Sequence, residues 1–196
     1  YTTLFRSSGY WGPNLIRNMN ELDTATIQVV CDKMPERLDY VKTKFPNIAQ
    51  TTTDTLEVIQ NPAIEAVVVA TPAETHYALA KAVLQAGKHV LVEKPLALQA
   101  SEAEELVKLA AERELVLMVG HTFLYNAAVR KLKEYITSGE VGQVYYIYAQ
   151  RLNLGRVRQD LNALWNFAPH DISIIMYLLD SLPSHVSARG LTYLQP

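Results

Sequence analysis

A chain of 196 residues, 49% of them hydrophobic, is long enough to bury a sizeable core and suggests one large domain or one domain plus part of another. A formal net charge of −2 without any basic block offers nothing to nucleic acid or to an anionic membrane surface, and the longest apolar runs, 66–70 and 115–119, are far short of a membrane span. Cys31 is the single cysteine, so no internal disulfide is possible, and with no signal peptide opening the chain a soluble protein of the reducing cytoplasm is expected.

Strand-like and helix-like segments alternate along the chain, the pattern of a parallel sheet wrapped by helices. Residues 2–12 read as a strand and turn, with Pro13 where a first helical residue is favoured and Leu15, Ile16 and Met19 on the apolar face of the helix. Ile27 to Cys31 is a second apolar run, ending at Asp32, 23 residues after Gly9. This is the layout of a dinucleotide site: a glycine turn and a helix N-terminus for the pyrophosphate, then an acid about 20 residues on for the adenosine ribose. The glycine fingerprint is imperfect, because Ser7-Ser8-Gly9-Tyr10-Trp11-Gly12 has serine at the first glycine position, where a positive φ is less well tolerated. The preceding strand is also weakened by Arg6. Asp32 is equally readable as a helix cap, with Pro35 just after it.

A helix from about Pro35 to Phe45 carries Leu38, Val41 and Phe45 on one face, and Thr53 or Asp54 caps a short helix with Leu56, Val58 and Ile59. The strand 66–70 runs into Thr71-Pro72 and, four residues later, His76. A helix through Ala78, Leu79, Ala82 and Val83 closes at Gly87, a C-cap glycine. Val90, Leu91 and Val92 form the next strand, and Glu93, Lys94 and Pro95 follow at its carboxyl end, where parallel sheets bind their ligands. Ser101 with Glu104 has the spacing of a capping box for the helix to Arg113. Leu115 to Val119 is a further strand, and Gly120-His121 closes a first domain of residues 1–121.

From Phe123 the pattern changes. A helix through Val129, Leu132, Tyr135 and Ile136 stops near Gly139, a tyrosine-rich strand is expected over 144–150, and a basic loop with Arg151, Arg156 and Arg158 follows. Asn166 to His170 starts another helix, with Asn166 placed to be its N-cap, Pro169 in its first turn, and Ile172, Ile175, Met176 and Leu179 at helical spacing. A last strand is expected over 185–191. Two strands cannot bury a face of their own, so 122–196 is expected to be part of a truncated second domain.

Glu93-Lys94-Pro95, together with Gly9 to Gly12, Ala70-Thr71-Pro72 through His76, and Trp165 to Asp171, resembles the Gfo/Idh/MocA family of NAD(P)-dependent oxidoreductases over nearly the whole chain. The resemblance implies an N-terminal Rossmann doubly wound sheet followed by an α/β domain with a large open sheet, incomplete here. It implies that Lys94 binds the reacting hydroxyl, that the Lys94–Pro95 peptide is cis, and that His170 is the general base. Asn166 aligns with the family's usual acid, so it supplies an amide without negative charge. Gly9, Tyr10, Trp11, Gly12, Asp32, Arg37, Thr71, Pro72, His76, Glu93 and Lys94 fall to the cofactor by the same resemblance. That cofactor is NAD, with NADP left open by Lys33 and Arg37; no metal is called for. Arg151, Arg156 and Arg158 would meet a diphosphate, which points to UDP-N-acetyl sugars, with myo-inositol or a simple sugar as the rival substrate. A homo-oligomer is expected of the full-length form. A catalytically silent NAD-binding or regulatory protein, or an inactive fragment, is the competing reading of another class.

Overall fold

The computed structural model describes residues 2–6, 11–152 and 161–191. Two compact units are distinguished, one of Tyr1–Gly120 with Leu154–Asn166, the other of His121–Asn153 with Phe167–Pro196.

The first unit is organised by six short strands: β1 (Thr2–Arg6), β2 (Ile27–Cys31), β3 (Gln50–Thr52), β4 (Ala66–Ala70), β5 (His89–Val92) and β6 (Leu117–Val119). They form one sheet of order β3-β2-β1-β4-β5-β6, with every neighbouring pair parallel. This is the doubly wound Rossmann order, in which the chain turns back between β1 and β4 and opens a crevice beyond their carboxyl ends. Five helices connect the strands: α1 (Trp11–Asn20), α2 (Pro35–Lys44), α3 (Thr55–Gln60), α4 (His76–Gln85) and α5 (Ala100–Glu112).

The period of two along each strand divides the core into two layers. Val29, Cys31, Val67, Val69, Val90 and Val92 pack with Val58 of α3, Ala80, Val83 and Leu84 of α4, and Leu106 and Ala110 of α5. On the other face Ile27, Val30 and Val68 pack with Ile16 of α1 and Leu38 and Val41 of α2. A fully buried valine or leucine contributes about 1.5–3 kcal/mol by leaving water, so β4, with Val67, Val68 and Val69 all buried, anchors both layers.

Local chemistry sets the element ends. Asp54, not Thr53, caps α3, accepting from the Leu56 N–H at 2.8 Å. Gly87 has φ +76°, with Gly87 N–H on Leu84 O (3.0 Å) and Lys88 N–H on Val83 O (3.2 Å), the paired bonds of a Schellman turn. The helix α5 begins at Ala100, so Ser101 lies inside the helix and Gln99 takes the cap position without a side-chain bond, against the expected capping box. The buried positions of α4 are His76, Ala80, Val83 and Leu84, with Leu79 packed beside them, while Ala78, also in the expected helix, is exposed. A helix this rich in alanine is apolar around most of its circumference, and its periodicity does not select a side.

The second unit contains α6 (Ala127–Thr137) and α7 (Ala163–Leu179), the first turn of α7 counting with the first unit. Asn126 caps α6 through the Ala128 and Val129 N–H groups, and Gly139, φ +81°, follows its end. Neither 144–150 nor 185–191 is a strand: neither has a ladder partner among the described residues. An alternating pattern supplies a face but not the neighbouring strand that satisfies N–H and C=O. The helix α7 starts three residues earlier than Asn166, capped by Asn162, whose Oδ1 accepts from the Trp165 N–H at 3.0 Å. It buries Leu178 while Ile172 and Leu179 are exposed, again because the helix is apolar nearly all round.

Candidate functional site

The carboxyl edge of the sheet collects the polar residues that the strands deliver. Asp32 follows β2 and is 3% exposed. Its N–H donates to Thr52 O at 3.2 Å, its Oδ1 accepts from the Met34 N–H at 3.0 Å, and Arg37 Nη1 lies 3.5 Å from the same oxygen. The carboxylate therefore shapes the turn before α2, whose cap position is Met34. Its second oxygen, Oδ2, is buried and has no hydrogen-bond partner among the described residues. A buried carboxylate oxygen left unpaired is costly in free energy, and a ribose hydroxyl would supply the missing donor. Gly12, buried in the first turn of α1, and this orphaned oxygen are the observations that fit a dinucleotide. Next to Asp32, burial first and the Asp32 charge second push the Cys31 thiol up to about 12, which makes it a core residue rather than a nucleophile.

After β4, the Thr75 hydroxyl donates to Pro72 O at 2.7 Å and lies 2.7 Å from Thr71 Oγ1, closing a tight turn that leads into α4. His76 is 2% exposed, with Nε2 2.8 Å from Thr71 O and Nδ1 2.7 Å from Pro95 O. Both ring nitrogens thus face main-chain carbonyls, which makes His76 a brace between the turns after β4 and β5.

After β5, the Glu93 N–H continues the ladder onto Val69 O (2.8 Å) and the Gly120 N–H onto Val92 O (2.8 Å). The Glu93 carboxyl packs directly on Gly120: a Cβ there would stand 3.1 Å from Oε1 and 3.2 Å from Cδ. Burial raises the Glu93 pKa above the ordinary carboxylate value, offset in part by the Lys94 N–H bond and the Lys94 charge. The need for glycine at 120 is not visible in the sequence, since the residue it accommodates lies 27 positions away on another strand.

The Lys94–Pro95 peptide is cis, as the resemblance implies. Lys94 Nζ donates one of its N–H bonds to the main-chain carbonyl of Asn166 at 2.7 Å. That carbonyl lies in the first turn of α7, three residues before Pro169, which stands inside the helix. Proline lacks the N–H that would bond to Trp165 O, and its ring crowds the carbonyls of the preceding turn. Lys94 is aimed by a backbone oxygen, a contact that does not depend on the side chain at position 166. The expected N-cap role of Asn166 belongs to Asn162, whose position before the apolar run is the signal that locates it.

In the second unit, His170 packs edge-to-face on Phe123, with ring centroids 4.8 Å apart and planes at 63°. The Arg151 guanidinium lies over the same Phe123 ring at 5.2 Å and binds Asp171 in fork fashion, Nη2 to Oδ1 at 2.8 Å and Nε to Oδ2 at 3.1 Å. That pairing raises the Arg151 pKa. Arg151 is thus committed to Asp171 and an aromatic face, against the expectation that it meets substrate phosphates. Arg156, Arg158, Gly9 and Tyr10 lie outside the described residues, and Trp11 opens α1. Thr71 and Pro72 are half-buried at the edge of the sheet.

Among the described residues no helix is long and apolar enough to cross a membrane. Residues 7–121 match the family model GFO_IDH_MocA, described as an oxidoreductase family with an NAD-binding Rossmann fold. The chain is 34% identical over 129 residues to UDP-N-acetylglucosamine 3-dehydrogenase of Acidithiobacillus ferrooxidans, a match covering 65% of this chain and 40% of that relative. It is also 34% identical over 132 residues to scyllo-inositol 2-dehydrogenase (NADP(+)) of Bacillus subtilis, covering 67% of this chain and 36% of the relative. It therefore spans well under two thirds of these curated relatives. The crystal structure of scyllo-inositol dehydrogenase from Lactobacillus casei with bound NAD(H) and scyllo-inositol superposes with a TM-score of 0.74 over 90% of this chain and 55% of that one; at 21% identity the likeness is one of fold.

Proposed function

Because the chain belongs to the Gfo/Idh/MocA family of NAD-binding oxidoreductases, we propose that it serves the NAD(P)-linked oxidation of a secondary hydroxyl on a sugar, with a UDP-N-acetyl sugar as the substrate class. The observation that carries this reading is Lys94, an ammonium anchored on the Asn166 carbonyl immediately beyond β5 at the carboxyl edge of a Rossmann sheet.

Each role follows from the chemistry of its residue. Asp32 Oδ2 would accept from the adenosine ribose, and the N-terminal turn of α1, with Trp11 and Gly12, would meet the pyrophosphate, a role that Gly9 and Tyr10 share by the family resemblance alone. NAD is favoured over NADP by the carboxylate, and Arg37 beside it leaves room for a 2′-phosphate. Thr71, Pro72 and Glu93, at the same carboxyl edge, would hold the nicotinamide end. A bound nicotinamide would supply the hydride acceptor. Lys94, donor-only and charged, stabilises the alkoxide that develops on the hydroxyl, and the His170 imidazole takes the hydroxyl proton. Asn166 contributes its backbone, which keeps Lys94 directed. The preference for a nucleotide sugar rests on similarity to the UDP-N-acetylglucosamine enzyme and on Arg156 and Arg158. The engagement of Arg151 with Asp171 favours the second reading, a polyol such as myo-inositol, which has no phosphate to be bound.

The test is Lys94→Ala, assayed against UDP-N-acetylglucosamine and myo-inositol with NAD. Turnover should fall by about 10²–10³ or more, as when a donor to a developing oxyanion is removed. NAD affinity, followed by fluorescence and by the rise in melting temperature on binding, should stay within about threefold, since the lost charge acts on the reacting hydroxyl. Unchanged turnover refutes the role of Lys94. Saturable NADH binding by the wild type without turnover of any hydroxyl substrate would make the silent, regulatory reading the better one.

A further inference from the structure

His76 is the side chain through which the two ligand-bearing loops of the sheet are joined. It lies on the buried face of α4, 2% exposed, at the start of the helix that follows the β4 turn. Its two ring nitrogens face two different loops: Nε2 is 2.8 Å from Thr71 O, just after β4, and Nδ1 is 2.7 Å from Pro95 O, just after β5. Both partners are carbonyl oxygens, which only accept, so a ring N–H donates to whichever carbonyl its nitrogen faces. The strand ladder joins these segments as far as the Glu93 N–H on Val69 O. Two residues beyond that bond, at Pro95, the imidazole makes the connection.

We infer that His76 is a positioning residue for Lys94: by holding the Pro95 carbonyl it sets the backbone from which Lys94 Nζ reaches the Asn166 carbonyl and meets the substrate hydroxyl. The inference rests on the reading of Lys94 given above. The two bonds have separable duties. The one to Pro95 serves Lys94, and the one to Thr71 serves the turn after β4. Proximity and direction carry large factors at a reacting centre, and a displacement of about 1 Å can cost 10²-fold in rate.

Two substitutions divide the duties. The amide nitrogen of asparagine occupies about the place of His Nδ1, and that of glutamine the place of Nε2. His76→Asn therefore keeps a donor for Pro95 O and gives up Thr71 O, whereas His76→Gln does the reverse, each variant losing one buried hydrogen bond. In the full-length protein, kcat is expected to fall by about 10–100-fold in His76→Gln and to stay within about threefold in His76→Asn, with NAD affinity similar in both. Equal losses of kcat in the two variants, or losses that simply follow melting temperature, would overturn the inference and leave His76 a structural residue.

A second readout does not depend on turnover. The rate at which acetic anhydride acylates Lys94, mapped by peptide mass, should rise in His76→Gln and not in His76→Asn; no difference between them overturns the inference even if the wild type oxidises no sugar. If neither variant folds, long-range ¹H–¹⁵N correlation on the wild type decides: a protonated Nδ1 on His76 supports donation to Pro95, and an unprotonated Nδ1 contradicts it.

Discussion

Residues 66–70 and 144–150 carry similar strand chemistry, short apolar or aromatic stretches rich in β-branched and tyrosine side chains, yet they have opposite fates. In the first, Val67, Val68 and Val69 are at most 2% exposed between two parallel neighbours. In the second, Tyr145, Tyr146 and Tyr148 are 83, 85 and 73% exposed, and the backbone pairs with no strand among the described residues. What makes a strand is therefore less its own propensity than the presence of a neighbour to close the ladder and a layer to cover the face. The first unit adds a further device, buried polar side chains that bond to loop carbonyls and hold the ends of the strands.

The largest effect expected from this contrast is at Lys88, which is 5% exposed and donates to Asn61 O at 2.6 Å and Ile64 O at 2.7 Å, where burial lowers its pKa. Lys88→Met keeps the stem but leaves the buried Ile64 carbonyl unpaired, at about 1–3 kcal/mol, and removes one of the two donors to Asn61 O, whose other is the Ile64 N–H, at about 1 kcal/mol, so a loss of about 2–4 kcal/mol is expected in denaturant unfolding. A loss under about 0.5 kcal/mol, the range of an ordinary surface substitution, would show the lysine to be replaceable. Val69→Ala, at a fully buried position of β4, should cost about 2 kcal/mol by the same measurement through lost burial and the cavity left behind.

A smaller and pH-dependent effect is expected at Glu93. Its folded pKa is raised, so the protonated carboxyl favours folding below the ordinary value, and that contribution disappears as pH rises through the higher folded value. Glu93→Gln, neutral throughout, should melt close to the wild type near pH 4 and above it at pH 8; a gap that is constant across that range would contradict the assignment. The smallest effect should be at Tyr146, where Tyr146→Ser is expected to change stability by no more than about 0.5 kcal/mol, the usual range for exposed positions. A loss above about 1 kcal/mol would mean that this stretch is covered, and the contrast with β4 would fall.

Hydrophobic periodicity and punctuation were enough to anticipate five of the six strands, but not β3, whose polar Gln50–Thr52 offers no apolar run. The apolar runs 27–31, 66–70 and 90–92, the turn at Gly87 and the helical face of Leu38 and Val41 all sit where the pattern puts them. The same pattern brought Asp32, Thr71, Glu93 and Lys94 to the carboxyl ends of strands, because a parallel sheet delivers whatever follows each strand to one edge. These are local properties: burial on a strand or helix depends on spacings of two to four residues, which any window of the chain contains.

The tertiary structure alone decided what the polar groups at that edge do. It left Asp32 Oδ2 without a donor, gave the Lys94 ammonium a main-chain oxygen 72 positions away, turned His76 inward onto Pro95, and bound Arg151 to Asp171. Two of these partners, Pro95 O and Asn166 O, are backbone carbonyls, which every residue carries and no residue type advertises. Which carbonyl lies within hydrogen-bond reach is fixed by which strands and loops become neighbours, and only the folded chain contains that information.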